Sequence, residues 1–414
     1  MTLALEGIRV LDLTDGVSGP FCGMLLGGFG AEVIRIESMR HLGFRSNAPP
    51  TSPSAEGPKA PPKVDVSQLI TPNFARYHLD KLSITLNLTK PEARDLFAKL
   101  VNVSDVVLDN LSYGVMKAWG LDYEGLKRTK DDIIVASLPS LGEGPHAQWT
   151  TWGMNLLSFT GFANSWGHPD TPMEQRAASN TYPDYIAGTM AAASILAALY
   201  HRSATGEGQF IEVSQTDSTV ALIGLVYLDY FVNHRDPHPM GNRHPQFAPY
   251  NIYRCKGDDR WCAIATFNEE EWQKLCLAIG NPDWTRDPGF ATVESRLQNL
   301  EDLDRHIESW TIQRTAFQVM KLMQSAGVAA GVVQDSEDMY RDIQLRASGY
   351  MIDVEVGPRG KMTFDGSPVR LSEGQKAKTD GAPLLGQHND RVYRHLLGLS
   401  AEEVETFTAK QVIF

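Results

Sequence analysis

Cysteine is scarce in this sequence, and its spacing excludes the common structural uses of that residue. The four cysteines are Cys22, Cys255, Cys262 and Cys276, and they form neither a CxxC pair nor a cluster with histidine at metal-ligand spacing. Disulfide frameworks belong mostly to small secreted chains, whereas this chain has 414 residues. We therefore expect a reduced cytosolic protein without disulfides and without a bound metal.

Long apolar runs and an excess of positive charge are also missing. No apolar stretch approaches the roughly 20 residues that a membrane helix needs. Residues 1–9 contain neither the basic region nor the long apolar region of a secretory signal. The 38 Lys and Arg residues are outnumbered by 50 Asp and Glu residues, which gives a formal net charge of −12. This balance argues against nucleic acid or an anionic membrane as a partner, and we expect a cytoplasmic location.

The first 40 residues show the pattern of a βαβ unit. Residues 8–13 and 31–37 have the composition of buried strands, and a glycine turn followed by a short apolar helix separates them. Gly16 and Gly19 lack the spacing of a dinucleotide-binding fingerprint, so this opening by itself indicates no particular ligand.

The alternation of strands and helices resumes after a segment rich in Pro, Ser, Gly and Lys at residues 48–67, for which we predict no chemistry. Further predicted elements are strands at 83–88, 105–108, 133–137 and 209–213, a hairpin at 250–266, and helices at 91–103, 184–202, 215–233 and 401–410. This pattern predicts an α/β fold, and a chain of this length normally forms two domains. We predict a large domain at 1–224, a small domain at 225–330, and a return segment at 331–414 that completes the large domain.

Ordered sequence blocks along almost the whole chain resemble the family III CoA-transferases, the group that includes formyl-CoA transferase, carnitine CoA-transferase and α-methylacyl-CoA racemase. The blocks are at residues 5–14, 30–37, 81–86, 109–116, 184–188, 195–209, 241–250 and 382–388. The resemblance implies a Rossmann-like large domain with a smaller second domain, in two chains threaded through each other as an interlocked dimer. It also implies that coenzyme A, carried as acyl-CoA, and a carboxylic acid are the substrates.

The same resemblance places the catalytic aspartate of the family at Asp184. A carboxylate that attacks an acyl-CoA thioester gives a mixed anhydride and a CoA thiolate, and the thiolate can then form an aspartyl-CoA thioester. An Asp before an apolar helix also commonly serves as its N-cap, and both roles can coexist at one position.

CoA-binding and active-site loop residues are implied by the resemblance as well. The implied CoA-binding positions are Gly16, Val17, Ser18, Arg40, Lys81, Asn110, Leu111 and Lys117. Several cations that the family places near the CoA phosphates are missing here, so Arg40, Lys81 and Lys117 are the candidate replacements. A glycine-rich loop over the active site is implied at Gly241, Asn242, Arg243 and His244, where backbone N–H groups can approach an oxyanion. The alternative for this loop is an ordinary interdomain turn.

Two other functions are compatible with the sequence. An acyl-CoA racemase needs acid/base groups on both faces of the α-carbon, usually a His paired with the Asp. Here Trp152 occupies the position of that histidine, and His146 lies off register. A non-catalytic subunit that pairs with a catalytic homologue would explain the missing cations, although the retained Asp184 argues against it. The assembly is accordingly predicted to be a homodimer or a heteromer with a homologous subunit.

Five aromatic residues lie before Asp184, in the stretch where the family lines its acyl pocket. They are Trp149, Trp152, Phe159, Phe162 and Trp166. Such a set is typical either of a pocket for an aromatic or bulky apolar acid or of a structural core.

Overall fold

A parallel sheet of six short strands forms the centre of the fold. In the computed structural model, which describes residues 3–39, 42–45, 69–176, 181–236, 238–374 and 379–414, these strands are β1 (Arg9–Asp12), β2 (Glu32–Glu37), β3 (Lys81–Thr85), β4 (Val106–Asp109), β5 (Ile134–Ser137) and β6 (Phe210–Glu212). They are arranged in the order β3-β2-β1-β4-β5-β6. The strand order reverses between β1 and β4, and open α/β sheets bind ligands at the carboxyl ends of the strands beside such a reversal. The predicted α/β, Rossmann-like class is confirmed.

Helices connect and flank these strands. The α-helices are α1 (Ser18–Gly28), α2 (Pro72–Tyr77), α3 (Pro91–Asn102), α4 (Val115–Trp119), α5 (Tyr123–Thr129), α6 (Gly153–Phe159), α7 (Phe162–Ser165), α8 (Tyr182–Thr205), α9 (Gln215–Leu222), α10 (Gly224–Asn233), α11 (Glu269–Ala278), α12 (Val293–Gln298), α13 (Leu300–Thr311), α14 (Ala316–Ser325), α15 (Ser336–Arg341), α16 (Ile343–Ala347) and α17 (Ala401–Ala409). A π-helix covers Asp390–Leu396. The helix predicted at 215–233 is two helices, because the N–H of Ile223 bonds to the carbonyl of Val220 in a tighter turn that ends α9.

The chain divides into two compact units. The large unit comprises Met1–Ala163, Ala177–Arg235 and Leu345–Phe414, and the small unit comprises Asn164–Arg176 and Asp236–Gln344. In the small unit, β7 (Tyr250–Arg254), β8 (Trp261–Ala265) and β9 (Ala329–Val333) form an antiparallel sheet. The first two of these strands are the predicted hairpin. The large unit also holds the antiparallel pair β10 (Met351–Glu355) and β11 (Lys361–Asp365).

Both faces of the parallel sheet are buried in apolar cores. Successive strand residues point to opposite faces, so Val10 and Val106 enter one core while Leu11 and Val107 enter the other. Near-continuous apolar strands are typical of parallel sheets that are covered by helices on both sides. This double burial fixes the register of the strands and therefore the positions of the residues that follow their carboxyl ends.

Helix α8 packs closely against helix α1 on one face of this sheet. The buried side of α8 consists largely of small residues, among them Ala187, Gly188 and Ala191. A Cβ atom on Gly188 would lie only 2.6 Å from the carbonyl oxygen of Ser18, the first residue of α1. The two helix backbones can approach this closely only because the side chain is absent.

All four cysteines are buried and unpaired. Within the described ranges, no group of three or more His, Cys, Asp or Glu side chains is arranged to hold a metal ion. Among the helices of the described residues, none is long and apolar enough to cross a membrane.

The C-terminal return segment covers the edge strand β3. Backbone and side chain of His388 both bond to Ser83, since the His388 N–H donates to the Ser83 carbonyl (2.9 Å) and the Ser83 N–H donates to Nδ1 of His388 (3.0 Å). The Thr85 N–H donates to the side-chain oxygen of Asn389 (2.9 Å). These bonds occupy backbone groups that would otherwise form an open sheet edge.

We expect acid to loosen this cover through His388. Its Nδ1 must stay unprotonated to accept from Ser83, and burial together with Arg391 lowers the pKa of His388 below 6.5. The stability that His388 contributes is therefore complete above about pH 6.5 and is lost as the pH falls below that value. In His388→Asn, a non-titrating acceptor stands near the same place, and the acid-induced drop in unfolding free energy between about pH 7 and pH 5 should shrink by ~1 kcal/mol.

The measurement is urea unfolding at both pH values, with His395→Asn as the matched control, because His395 is an exposed histidine of the same segment. An equal acid sensitivity in wild type and His388→Asn would contradict the assigned hydrogen bond.

Candidate functional site

Asp184 lies in the first turn of α8 with its side chain turned into the protein. It is 9 % exposed, and the Thr181 side chain and the backbone N–H of Ser18 lie beside its carboxylate and favour the ionised form. The N-cap position of α8 is Thr181, and Asp184 is the third helical residue. The capping role that its sequence position suggested is therefore wrong, because the helix begins two residues earlier than predicted.

The electrostatic setting of Asp184 makes it an unusually basic carboxylate. Burial raises the pKa of Asp184 to about 6, and the neighbouring Thr181 side chain and Ser18 N–H oppose part of that increase. The group is thus ionised at neutral pH, yet it is a stronger base than an ordinary aspartate. A carboxylate whose pKa is raised by burial is a candidate catalytic group.

The turn before α1 presents the Ser18 N–H to this carboxylate. Gly16 has a φ of +74°, which only glycine adopts without strain, and Val17 occupies the N-cap position. Asn110, directly after β4, clamps the turn through the Asp15 N–H (2.9 Å) and the Asp15 carbonyl (2.7 Å). The first N–H groups of a helix have no partner within the helix and favour negative charge, so this turn suits a carboxylate.

Gln215 also forms a hydrogen bond with Ser18. The sequence analysis did not identify this residue. Its Nε2 donates to the Ser18 hydroxyl at 3.3 Å, as does Nδ2 of Asn110, also at 3.3 Å. Ser18 is 1 % exposed, so its hydroxyl serves as an internal acceptor. Gln215 lies 197 residues away along the chain, and no local pattern could have indicated the contact.

Gly153 was also missed, and it faces the Asp184 carboxylate directly. A Cβ atom at position 153 would lie 2.1 Å from Oδ2 of Asp184 and 3.0 Å from Cβ of Thr181. Any side chain at this position would displace the carboxylate. The preceding residue is Trp152, which places an exposed indole one residue from the site.

Four of the five aromatic residues before Asp184 lie outside the buried core of the chain. Trp149, Trp152, Phe159 and Trp166 are each about half exposed. The ring of His146 stacks on Trp149 with a centroid distance of 4.0 Å, and Phe159 meets Trp149 edge to face at 6.1 Å. The core alternative is wrong for these four residues because their rings retain solvent contact.

The three candidate cations have different positions. The Lys81 ammonium is completely buried and donates to Asp12 (2.8 Å) and to the carbonyl of Pro20 (2.8 Å). It cannot reach a phosphate without leaving this pair. Lys117, in the last turn of α4, is exposed and lines a cavity together with Leu111. Arg40 lies outside the described residues.

The predicted active-site loop belongs to the small unit. Gly241 has a φ of +64°, and a Cβ atom there would lie 2.6 Å from Nδ1 of His168. Arg243 is 3.6 Å from the carboxylate of Asp304. Residues 241–244 line a cavity of about 670 Å³ together with the small-unit sheet.

We expect Gly153→Ala to disturb the site through steric overlap with Asp184. The added methyl group should lower the free energy of unfolding by about 1–3 kcal/mol, the usual cost of overpacking. Denaturant unfolding measures the loss. The control is Gly28→Ala at the end of α1, where a Cβ atom would meet nothing within 4 Å. Equal stability of the two variants would contradict the close approach described for Gly153.

Curated relatives match the chain over almost its full length. Succinyl-CoA–D-citramalate CoA-transferase of Chloroflexus aurantiacus is 31 % identical over 410 residues, covering 99 % of this chain and 98 % of the relative. Formyl-CoA:oxalate CoA-transferase of Rhodopseudomonas palustris is 28 % identical, covering 98 % and 96 %. The probable CoA-transferase Rv1866 of Mycobacterium tuberculosis is 29 % identical over 99 % of this chain, which spans 50 % of that longer protein.

Solved structures show the same architecture. A CAIB/BAIF family protein from Brucella suis superimposes with a TM-score of 0.83 at 28 % identity, covering 96 % of this chain and 100 % of the other. Rv3272 from Mycobacterium tuberculosis gives a TM-score of 0.74 at 26 % identity, covering 94 % and 98 %. The family model for CoA-transferase family III matches residues 5–389. The chain therefore belongs to CoA-transferase family III.

Proposed function

We propose that this enzyme moves CoA from an acyl-CoA to a carboxylic acid, with Asp184 as the residue that carries first the acyl group and then CoA. The observation that carries the proposal is the buried carboxylate of Asp184, which lies beside the Ser18 N–H and the Thr181 side chain and forms no ion pair with any residue that the structure describes. An isolated, basic carboxylate is suited to nucleophilic attack.

The chemistry requires four transfers at one carboxylate. Asp184 attacks the thioester carbonyl, the carbon–sulfur bond breaks, and CoA leaves as a thiolate. The thiolate then attacks the aspartyl carbonyl of the mixed anhydride, which releases the donor acid as its carboxylate and leaves an aspartyl-CoA thioester. The acceptor carboxylate attacks this thioester to form a second anhydride and thiolate. Attack of the thiolate on the acceptor carbonyl forms the new acyl-CoA and regenerates Asp184, with no net proton transfer.

The start of α1 supports this sequence electrostatically. Its partial positive charge and the Ser18 N–H lie against the carboxylate that gains and loses an acyl group in each step. Asn110 and Gln215 hold Ser18 in place, so the donor needs no rearrangement when charge develops.

For CoA we propose a binding region at the reversal of strand order in the large unit. The turn Gly16–Ser18 follows β1, while Asn110 and Leu111 follow β4, so residues from both sides of the reversal meet there. Among the three candidate cations, Lys117 is the described one with an exposed ammonium, and we assign it to a CoA phosphate. The loop at 241–244 is proposed as the cover of the acyl intermediates.

A direct activity assay can identify the donor and acceptor acids. The two relatives are named for succinyl-CoA with D-citramalate and for formyl-CoA with oxalate, which are small acids. The exposed rings of Trp149 and Trp152 near Gly153 favour an apolar or aromatic acyl group instead. A matrix of acyl-CoA donors against small and aromatic carboxylates, analysed by mass spectrometry, identifies the pair.

The two alternatives receive less support from the site. A racemase needs a second acid/base group, but the groups that shift the pKa of Asp184 include the Thr181 side chain and no described histidine. A non-catalytic partner subunit would not need a basic, buried carboxylate held by Ser18. CoA binding by the purified chain distinguishes that subunit from an enzyme.

The nucleophile assignment predicts a severe loss of transfer in both Asp184→Ala and Asp184→Asn. Neither variant can store an acyl group, so the transfer rate should fall by at least about 10³-fold in each. The measurement is the initial rate of CoA transfer with the best acid pair. Asp217→Asn is the control, because Asp217 is an exposed carboxylate in the first turn of α9. A CoA-transfer rate of Asp184→Ala close to that of the wild type would contradict the proposal.

The same assignment predicts an acidic limb in the pH–rate profile. Protonated Asp184 cannot attack, and its pKa is about 6. The rate should therefore decline about tenfold per pH unit below that value. Circular dichroism at each pH checks that the fold persists. A rate that stays constant down to about pH 4, the ordinary pKa of aspartate, would show that the attacking group is a different one.

An interlocked homodimer, or a heteromer with a homologous subunit, is proposed for the assembly. Helix α10 has no buried residue in the single chain, and its Leu225, Phe231 and Val232 are exposed. Exposed apolar patches of this kind are typical of subunit interfaces. Light scattering of the purified chain at micromolar concentration should give twice the 45.8 kDa of one chain. A stable monomer would exclude the homodimer.

A further inference from the structure

The cavity that Leu111 and Lys117 line lies at the carboxyl ends of β4, β5 and β6 of the large unit. Its volume is about 350 Å³, and apolar side chains line most of it, including Leu111, Met116, Val135 and Phe210. The ring of Phe210 lies 6.1 Å from that of Tyr123 at an angle of 35°. Flat apolar walls of this size suit a planar ring better than a flexible polar chain.

Asp109 contributes an unusual carboxylate to this cavity. It is 4 % exposed, and it is the last residue of β4. Its Oδ1 accepts from the Leu111 N–H (3.3 Å) and from the Ser137 hydroxyl (3.3 Å). Nothing in the described part of the chain donates to Oδ2, and no described cation pairs with the group. Burial raises the pKa of Asp109 to about 6, so the carboxylate is ionised at neutral pH.

Oδ2 of Asp109 is not fully buried but stays accessible from the cavity, where a donor from a ligand would offset part of the cost of burying this anion. The charges around the cavity restrict the ligand further. Asp122, Glu124 and Glu212 line it as well, against the single cation Lys117. Inside the cavity an anionic group would be repelled, whereas an N–H donor on an uncharged ring would not; the exposed Lys117 is the one lining cation to which a phosphate attached to such a ring can bind.

We propose that this cavity binds a planar heteroaromatic ring that carries an exocyclic amine, as adenine does, and that Oδ2 of Asp109 accepts the amine N–H. One source of such a ring is the adenine of CoA itself, and in that case the inference rests on the proposed function. The other source is a separate nucleoside. Both present the same amine to the same oxygen.

The test compares adenosine with inosine, in which a carbonyl replaces the amine. Titration calorimetry on the full chain should show adenosine binding at least about tenfold more tightly than inosine, because inosine turns an acceptor towards Asp109. In Asp109→Asn, the side-chain amide can donate to the inosine carbonyl, so the preference should fall or reverse. Glu124→Gln is the control, since Glu124 is an exposed lining carboxylate and the preference should stay unchanged.

Competition by CoA separates the two sources. Displacement of adenosine by CoA identifies the adenine of the substrate, and simultaneous binding of both identifies a separate nucleoside; either outcome supports the assignment of Asp109. Equal affinity of wild type for adenosine and inosine, or no binding of adenosine at millimolar concentration, overturns it. These wild-type measurements do not depend on the folding of a variant. Asp184→Asn should keep its adenosine affinity, so this test is independent of transfer activity.

Discussion

The contact between α1 and α8 is the constraint on which the site depends. Gly188 allows the α8 backbone to approach the carbonyl of Ser18, and the same approach brings the Ser18 N–H to Asp184. A larger residue at position 188 would separate the two helices. The carboxylate would then move away from the Ser18 N–H and from the start of α1. The close helix packing at Gly188 thus determines the environment of the Asp184 carboxylate.

A buried polar network beneath the sheet ends holds this contact in place. Lys81 and Asp12 form a fully buried ion pair, and the Lys81 ammonium also donates to the carbonyl of Pro20 in α1. Removing one partner of such a pair leaves an uncompensated buried charge, which typically costs 3–5 kcal/mol. The lysine that the family resemblance implied for CoA therefore has a structural role in the described conformation.

The strands, the Rossmann-like class and the position of Asp184 could be predicted because each depends on local pattern or on ordered sequence blocks. Gly153 and Gln215 could not, since each meets its partner only after distant segments fold together. The burial of Lys81 could not be predicted either, because the sequence around a lysine does not show whether its ammonium group is exposed to solvent or paired inside the protein. The division of the predicted helix 215–233 at Ile223 could not be predicted, because the apolar pattern continues through the turn that ends α9.

Covalent trapping on the wild-type enzyme is the most direct test of the role of Asp184. Incubation with acyl-CoA and hydroxylamine should convert the activated carboxyl group to a hydroxamate, adding about 15 Da, because NHOH replaces OH at that carbon. Peptide mass spectrometry should find this mass on Asp184, and only when acyl-CoA is present. Labelling of another carboxylate, or no acyl-CoA-dependent label during measurable turnover, would contradict the central claim.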